Sequence, residues 1–419
     1  MTFDRDLLPK DWQVKKVGEV TLRTPQRDPG KQPDKIFRYV DISSIDNALF
    51  KINGSTELKG SDAPSRARKD IRTNDVLFAT VRPKLKRVAL IPPYLDGEIA
   101  STGYCVLRPD IEKIESSFLY YCVLTDWFID AIGKLERGAN YPAVRNNDVL
   151  RMQIPIPPLP EQRKIAAVLG TVQRAIEEQE RLLQLTRELK KSLLQKLFTE
   201  GLRGEPQKMT EIGPVPQSWE VDKLGTTAKF QTGGTPSRDV PEYWQNGDIS
   251  WVKTTEINYR TIESTAEKIT NEGLKNSAAK IFPSGMLLVA MYGQGITRGR
   301  VGILGIDAAT NQACAAITPY NEKTLSTKFI YYFLQFHYEG LRQMGHGANQ
   351  KNLNVALLRD FSIAYPNSDN QNIIVDVLAR VDRKLFLIES RKQNLISLFR
   401  TLLHQLMTAQ IQLGYFDIE

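Results

Sequence analysis

The sequence predicts an α+β protein of two tandem mixed α/β domains. Each domain is followed by a long helix, and the two helices pair with each other as a coiled coil about an approximate two-fold. Three observations predict this. The chain of 419 residues repeats itself at about half its length. Each half opens with short β-branched and aromatic runs broken by Gly, Pro and Asn. Each half closes with apolar residues at alternating 3–4 spacing, sustained over about five heptads. The predicted boundaries are 1–158 for the first mixed domain, 159–203 for its helix, 204–217 for a linker, 218–366 for the second mixed domain and 367–412 for its helix.

The repeat is carried by matched segments in order. Trp12-Gln13-Val14 with Lys16 and Gly18 recurs as Trp219-Glu220-Val221 with Lys223 and Gly225. Segment 75–81 (DVLFATV) parallels 285–291 (GMLLVAM), and 101–109 (STGYCVLRP) parallels 311–319 (NQACAAITP). The aromatic helix 118–125 matches 329–336, and Gly138-Ala139-Asn140 returns as Gly347-Ala348-Asn349. The match is tightest at the ends. EQRKIAAVL at 161–169 meets NQNIIVDVL at 370–378, and KSLLQKLFT at 191–199 meets RTLLHQLMT at 400–408, at one shared offset.

The first long helix starts behind the proline cluster 155–160 and stops at Gly201. Its stripe is Ile165, Leu169, Val172, Ile176, Leu183, Leu193 and Leu197. The second stripe is Ile374, Leu378, Val381, Leu385, Ile388, Leu395, Phe399, Leu402 and Leu406. Gln179, Thr186, Lys190 and Lys392 interrupt the stripes, and such polar positions can fix register. Packing of each stripe on its own domain is the alternative. Pairing of the two helices is preferred because each would otherwise expose a long apolar face.

Composition sets limits on function. A formal net charge of +8 suits a polyanionic partner. Three cysteines without a CxxC pair argue against a disulfide framework or a Cys-based zinc site, and three histidines show no ligand spacing. No apolar run is long enough for a membrane span, and the acidic start is unlike a signal peptide. The expectation is a cytoplasmic protein that does not engage membranes. No Walker A motif, no dinucleotide GxGxxG and no GxSxG is present. Pro92-Pro93-Tyr94 lacks the preceding Asn or Asp of an amino-methyltransferase and reads as a turn. The chain carries no evident catalytic machinery and no metal site.

Basic clusters mark candidate DNA contacts. Arg66, Arg68, Lys69, Arg72, Arg82, Lys84, Lys86 and Arg87 are opposed only by Asp70 and Asp75. On a strand, Arg82, Lys84 and Lys86 would share one face. Cations neutralise phosphates, and Arg also reads guanine. All of these except Arg72 are taken as candidates, together with Asn140, Tyr141 and Arg145 of the loop 138–146. The second half contributes the loop Thr232, Gly233, Gly234, Thr235, Ser237 and Arg238, whose glycines permit close backbone approach to a ligand. It adds Lys253, Tyr292, Gln294, Thr297, Arg298 and Arg300, and the amide-rich Asn349, Gln350 and Lys351. A solvated edge strand and a plain polar loop are the bland alternatives. The residues alone leave open a coiled-coil scaffold that binds no nucleic acid, or a stand-alone DNA-modifying enzyme.

Several of these segments together resemble the DNA-specificity (S) subunit of type I restriction–modification enzymes over essentially the whole chain. They are PIPPLPEQRKIAAVL at 155–169, the helix ending SLLQKLFT, EIGPVPQSWE at 211–220, and TGGTPS at 232–237 followed by YWQNGDISWVKTTEI at 243–257. The resemblance implies two target-recognition domains, each reading half of a split, asymmetric double-stranded DNA target across a fixed gap. It implies that the helices form an antiparallel coiled coil. It also implies docking with two modification subunits, which bind S-adenosylmethionine and methylate adenine, and with restriction subunits that hydrolyse ATP. This chain would be non-catalytic and bind no cofactor of its own, with S-adenosylmethionine, ATP and Mg²⁺ on the partners. The second copy departs from the pattern, reading YPNSDNQNIIVDVL and keeping only Pro366 and Gln371.

Overall fold

The computed structural model describes residues 8–293, 296–344 and 352–413. They fall into two compact units whose membership does not follow the halves of the sequence. One unit takes the chain up to Leu183 and again from Ile388; the other takes Gln184–Leu387. Among the described residues no helix is long and apolar enough to cross a membrane, and no group of three or more His, Cys, Asp or Glu could hold a metal ion.

The first unit carries two four-stranded sheets. One has the order Thr56–Lys59, Ile36–Val40, Ile99–Ser101, Ala67–Asp70, and the other Thr21–Leu22, Tyr104–Pro109, Val76–Ala79, Val88–Leu90. The second unit repeats both orders. Its sheets are Glu267–Ile269, Ile249–Val252, Ala308–Thr310, Ile281–Phe282, and Ala228–Thr232, Cys314–Pro319, Leu287–Ala290, Val301–Leu304 with Thr261–Ile262 added. The parallel pairing of the first unit recurs, Ile99 beside Tyr39 there and Trp251 beside Ala309 in the second, where the added strand Thr261–Ile262 also runs parallel to Val301–Leu304. The first strand of each half pairs antiparallel with the strand leading into its long helix, Gln13–Lys16 with Gln153–Ile156 and Glu220–Lys223 with Ser362–Tyr365.

The central strands read as continuous apolar runs because both faces are covered. Val76 and Phe78 enter the core that contains the helices, while Leu77 and Ala79 enter a second, smaller core. Leu287 and Val289 against Leu288 and Ala290 do the same in the other unit. This alternation corrects the sequence alignment of these strands by one residue. Ala79 pairs with Tyr104 and Ala290 with Cys314, so Ala79 corresponds to Ala290 and not to Val289. The left-handed Asn74 and Gly285 coincide in the same frame. An uninterrupted apolar run carries no register mark of its own, and a slip of one exchanges its faces.

The long helices run Leu159–Glu200 and Ser368–Met407. The first ends at Gly201 in a left-handed conformation, as a helix-terminating glycine does. The predicted linker holds a hairpin, Gln207–Thr210 with Gly213–Pro216. Both helix starts are tied down by one buried glutamine. Gln162 donates to the carbonyls of Pro157 (2.9 Å) and Lys113 (3.2 Å) and accepts from the Glu115 amide (2.8 Å). Gln371 donates to Pro366 (2.9 Å) and Thr324 (2.8 Å) and accepts from the Ser326 amide (3.0 Å). The two residues that survive in the divergent second copy are therefore the two that make this contact.

Both readings of the apolar stripes hold, each over part of a helix. The start of each helix packs on its own domain: Ile165, Ala166 and Leu169 in one unit, Ile374, Val375 and Leu378 in the other. The end of each helix is buried in the unit of the other half. Phe399, Leu403, Leu406 and Met407 complete the first core, and Leu194, Leu197 and Phe198 complete the second. Two of the polar interruptions find partners on the other helix, Lys392 with Glu180 and Lys190 with Asp382, each at 2.6 Å. Advancing along one helix retreats along the other, which is antiparallel pairing.

Two predictions follow from these cores. Phe198 is fully buried against Trp219, Phe329, Phe333 and Phe336. Phe198→Ala is expected to destabilise the second unit by about 3–5 kcal/mol, seen as an earlier thermal transition, although residue 198 belongs to the first half. His337 lies among Phe333, Phe336 and Phe361, and burial pushes its pKa from 6.5 down to about 4. Between those values the unfolded chain binds a proton that the folded chain does not. Stability is thus held above the upper value and lost as pH falls toward the lower, by at most about 3 kcal/mol. His337→Phe is expected to flatten that acid dependence, measured as melting temperature above and within the window.

Candidate nucleic-acid interface

In the first unit, backbone hydrogen bonds gather several loops at one edge of the sheets. The turn after Ile99–Ser101 presents Thr102, whose amide donates to the Arg66 carbonyl (2.8 Å). Thr80 donates to Gly103 through both its amide and its hydroxyl, each at 2.8 Å, and accepts from the Val144 amide (2.9 Å). The Arg82 amide donates to Pro142 (2.8 Å). Arg66, Arg82, Asn140 and Tyr141 are thereby brought together. The Arg82 guanidinium lies over the Tyr141 ring, 5.5 Å from its centre, and donates to the Asn140 carbonyl (3.3 Å). Tyr141 is 75% exposed, so a large aromatic face meets solvent.

The expected basic strand at 82–86 is not a strand. Pro83–Leu85 forms one 3-10 turn, flanked by Arg82 at φ 49° and Lys86 at φ 51°. Pro83 fixes its own φ and cannot donate to a ladder, which favours the turn. Left-handed backbone at a residue with a Cβ costs about 1–2 kcal/mol and collects at functional sites. The second unit has Gly299, at φ 85°, where the first has Lys86, as the bonds from Ala79 to Arg87 and from Ala290 to Arg300 show.

The cations are not equally free. Lys69 is buried, which removes it from any surface. Arg68 pairs with Asp28 (3.4 Å), Lys84 with Glu136 (3.9 Å) and Lys86 with Asp126. Lys84 remains 65% exposed. Arg87 is half-buried and Arg145 is exposed.

The second unit presents the corresponding edge. The Met291 amide donates to Ala313 (2.8 Å), and Leu353 donates to Met291 (3.1 Å), repeating the Thr80 arrangement. The loop from Thr232 runs beside the turn 311–313. The Gly234 amide donates to the Thr310 carbonyl (2.9 Å), and the Thr235 hydroxyl donates to Gln312 Oε1 (2.6 Å). Trp251 Nε1 donates to Gly234 (3.0 Å) and Trp244 Nε1 to Ser237 (2.9 Å). Arg238 stacks 3.6 Å from the Trp244 ring centre and pairs with Glu267 (2.6 Å), which also takes Lys253 (2.5 Å). These two cations hold the Glu267 carboxyl below the usual range.

Three expectations change here. Gly233 and Gly234 are buried, and what approaches them is the chain itself. A Cβ would stand 2.0 Å from the Thr310 carbonyl at Gly233 and 2.4 Å from Ala278 backbone at Gly234. Arg298 is buried, with its guanidinium donating to the Arg342 carbonyl (3.2 Å). Arg300 lies half-buried over Tyr259, and Thr297 is half-buried. Tyr292 is exposed. Gln294, Asn349, Gln350 and Lys351 lie outside the described residues.

Sequence reasoning missed Thr102 and Gln312, which occupy equivalent turn tips. It also missed a second repeat: Thr24-Pro25-Gln26-Arg27-Asp28 against Thr235-Pro236-Ser237-Arg238-Asp239. That match was available from the duplication and marks both edge loops.

The sequence model of the family described as type I restriction modification DNA specificity domain matches residues 9–187 and again 216–398. The chain belongs to this family. Among its relatives, the putative type I restriction enzyme MjaX specificity subunit of Methanocaldococcus jannaschii is 23% identical over 97% of this chain and 95% of its own length. A solved chain, described as bearing on complex assembly and conformational transition of the type I R-M system, is 27% identical. It has a TM-score of 0.60 and covers 96% of this chain and 99% of its own. The S subunit structure from M. genitalium, at 15% identity, shares the fold, with a TM-score of 0.63 and full coverage of both chains.

Both family matches include one edge-loop set and part of one long helix. In the second specificity domain, Gly233→Ala is expected to cost about 1–3 kcal/mol, because Thr310 backbone cannot yield without disturbing the sheet. Thermal unfolding of the full chain measures it.

Proposed function

We propose that this chain is the DNA-recognition subunit of a type I restriction–modification system and reads a split, asymmetric duplex target, one half-site per unit. One observation carries the proposal: the same strand order occurs twice, and the edge loops on the two copies differ in chemistry. A shared scaffold with divergent loops suits two dissimilar half-sites. In the first unit the candidate contacts are Arg66, Arg82, Lys84, Lys86, Arg87, Asn140, Tyr141 and Arg145. In the second they are Thr235, Ser237, Arg238 and Tyr292, together with Gln294, Asn349, Gln350 and Lys351 as the sequence suggests them. The cations serve phosphates and the amides and hydroxyls serve base edges.

The family's role is recognition and not catalysis, and its members assemble with methyltransferase and restriction subunits. Two modification subunits per chain, a cytoplasmic setting, and S-adenosylmethionine, ATP and Mg²⁺ confined to the partners belong to the same proposal. The test is selection of bound duplexes from a randomised pool by the full chain with its modification subunits. A split motif enriched at physiological salt is expected. Binding without sequence preference would overturn the reading, since phosphate contacts alone give that result. Arg82→Ala with Lys84→Ala is expected to weaken binding to all sequences alike and to reduce the salt slope by about 2.

A further inference from the structure

Gln312 sits at the tip of the turn joining Ala308–Thr310 to Cys314–Pro319 and is exposed. Its neighbour Asn311 closes the turn, accepting from the Ala313 amide (3.1 Å) and donating its own amide to Val252 (3.1 Å). The Gln312 side chain is therefore not needed to build the turn. It is nevertheless held in place, because the Thr235 hydroxyl donates to its Oε1 at 2.6 Å. Thr235 in turn stands on the loop fixed by the Trp251 and Trp244 indoles and by the Arg238–Glu267 pair. Among the described residues the amide makes no other hydrogen bond, which leaves the Nε2 donors and an Oε1 lone pair to face outward.

An outward amide with one acceptor and one donor matches the N6 amino group and N7 of adenine in the major groove. Pre-orientation by a second residue is what such a reader requires, since an unheld glutamine would lose rotamer freedom on binding. The first unit places Thr102 at the equivalent tip, also exposed, which offers a single hydroxyl. We infer that Gln312 is a specificity-determining residue that reads an adenine in the half-site of the second unit. The inference rests on the DNA-recognition reading above. Thr235 acts through Gln312 as a positioning residue.

The experiment is the same randomised-duplex selection, run with the full chain and its modification subunits as wild type, Gln312→Ala and Gln312→Glu. Gln312→Ala is expected to relax one adenine position of one half-site, reducing discrimination there by roughly ten- to one-hundred-fold. Gln312→Glu, with acceptors only, is expected to move that position toward cytosine, whose N4 amino group it can accept. The other half-site should remain intact in every case and serves as the folding control. Motifs identical to wild type in both variants would overturn the inference and leave the DNA-recognition reading standing. Loss of the entire second half-site at unchanged melting temperature would also overturn it, because Gln312 would then only be holding the Thr235 loop. A wild type that enriches no motif would overturn the DNA-recognition reading itself, and the inference with it.

Discussion

Each unit is closed by a helix end that belongs, in sequence, to the other half. Without Phe399, Leu403, Leu406 and Met407 the first core would open beside Tyr121, and without Leu194, Leu197 and Phe198 the second would open beside Trp219 and Phe329. The two contacts are equivalent in place but not in chemistry. Phe399 packs on Tyr121, whose hydroxyl donates to Gln173 (2.9 Å). At the matching site Lys190 lies over Tyr332, and both meet Asp382. Lys190 is buried and Asp382 half-buried, and an ion pair taken out of water in this way adds little net stability yet is costly to leave half-made. A helix end carrying Phe in place of Lys190 would leave Asp382 without its cation, so the seam distinguishes the two ends.

On that base the sheets form a rigid support. Strands covered on both faces take their register from the two cores they enter, and the two glutamines tie the long helices to the domains through three backbone groups each. The edge loops then diverge at little cost to the core. Lys86 keeps a cation where the other unit uses glycine, at the expense of left-handed backbone. Gly233 and Gly234 lack the Cβ that would hold neighbouring backbone away, and the close packing this allows steadies Thr235 and so the tip at Gln312.

Much of this was legible in sequence because it depends on period and punctuation. The duplication, the helix stripes, the start within the proline cluster 155–160 and the stop at Gly201 all follow from local rules. The candidate surface was legible only in outline. Charge counting cannot tell the buried Lys69 and Arg298 from the exposed Lys84, because burial is set by neighbours distant in the chain. Alternation at 82–86 suggested a strand, whereas Pro83 and two left-handed residues make a turn. Thr102 and Gln312 carry no compositional signal at all, and only their place at a turn tip distinguishes them.

The sequence by itself determined a duplicated α+β chain with two long amphipathic helices and a net basic charge, because periodicity and composition act along the chain. Only the tertiary structure decided that each helix ends in the other half's core, that the strand repeat is shifted by one residue, and which polar residues meet at each edge. Those outcomes depend on contacts between segments far apart in the chain, where side-chain shape and hydrogen-bond satisfaction choose among pairings that local pattern leaves equal.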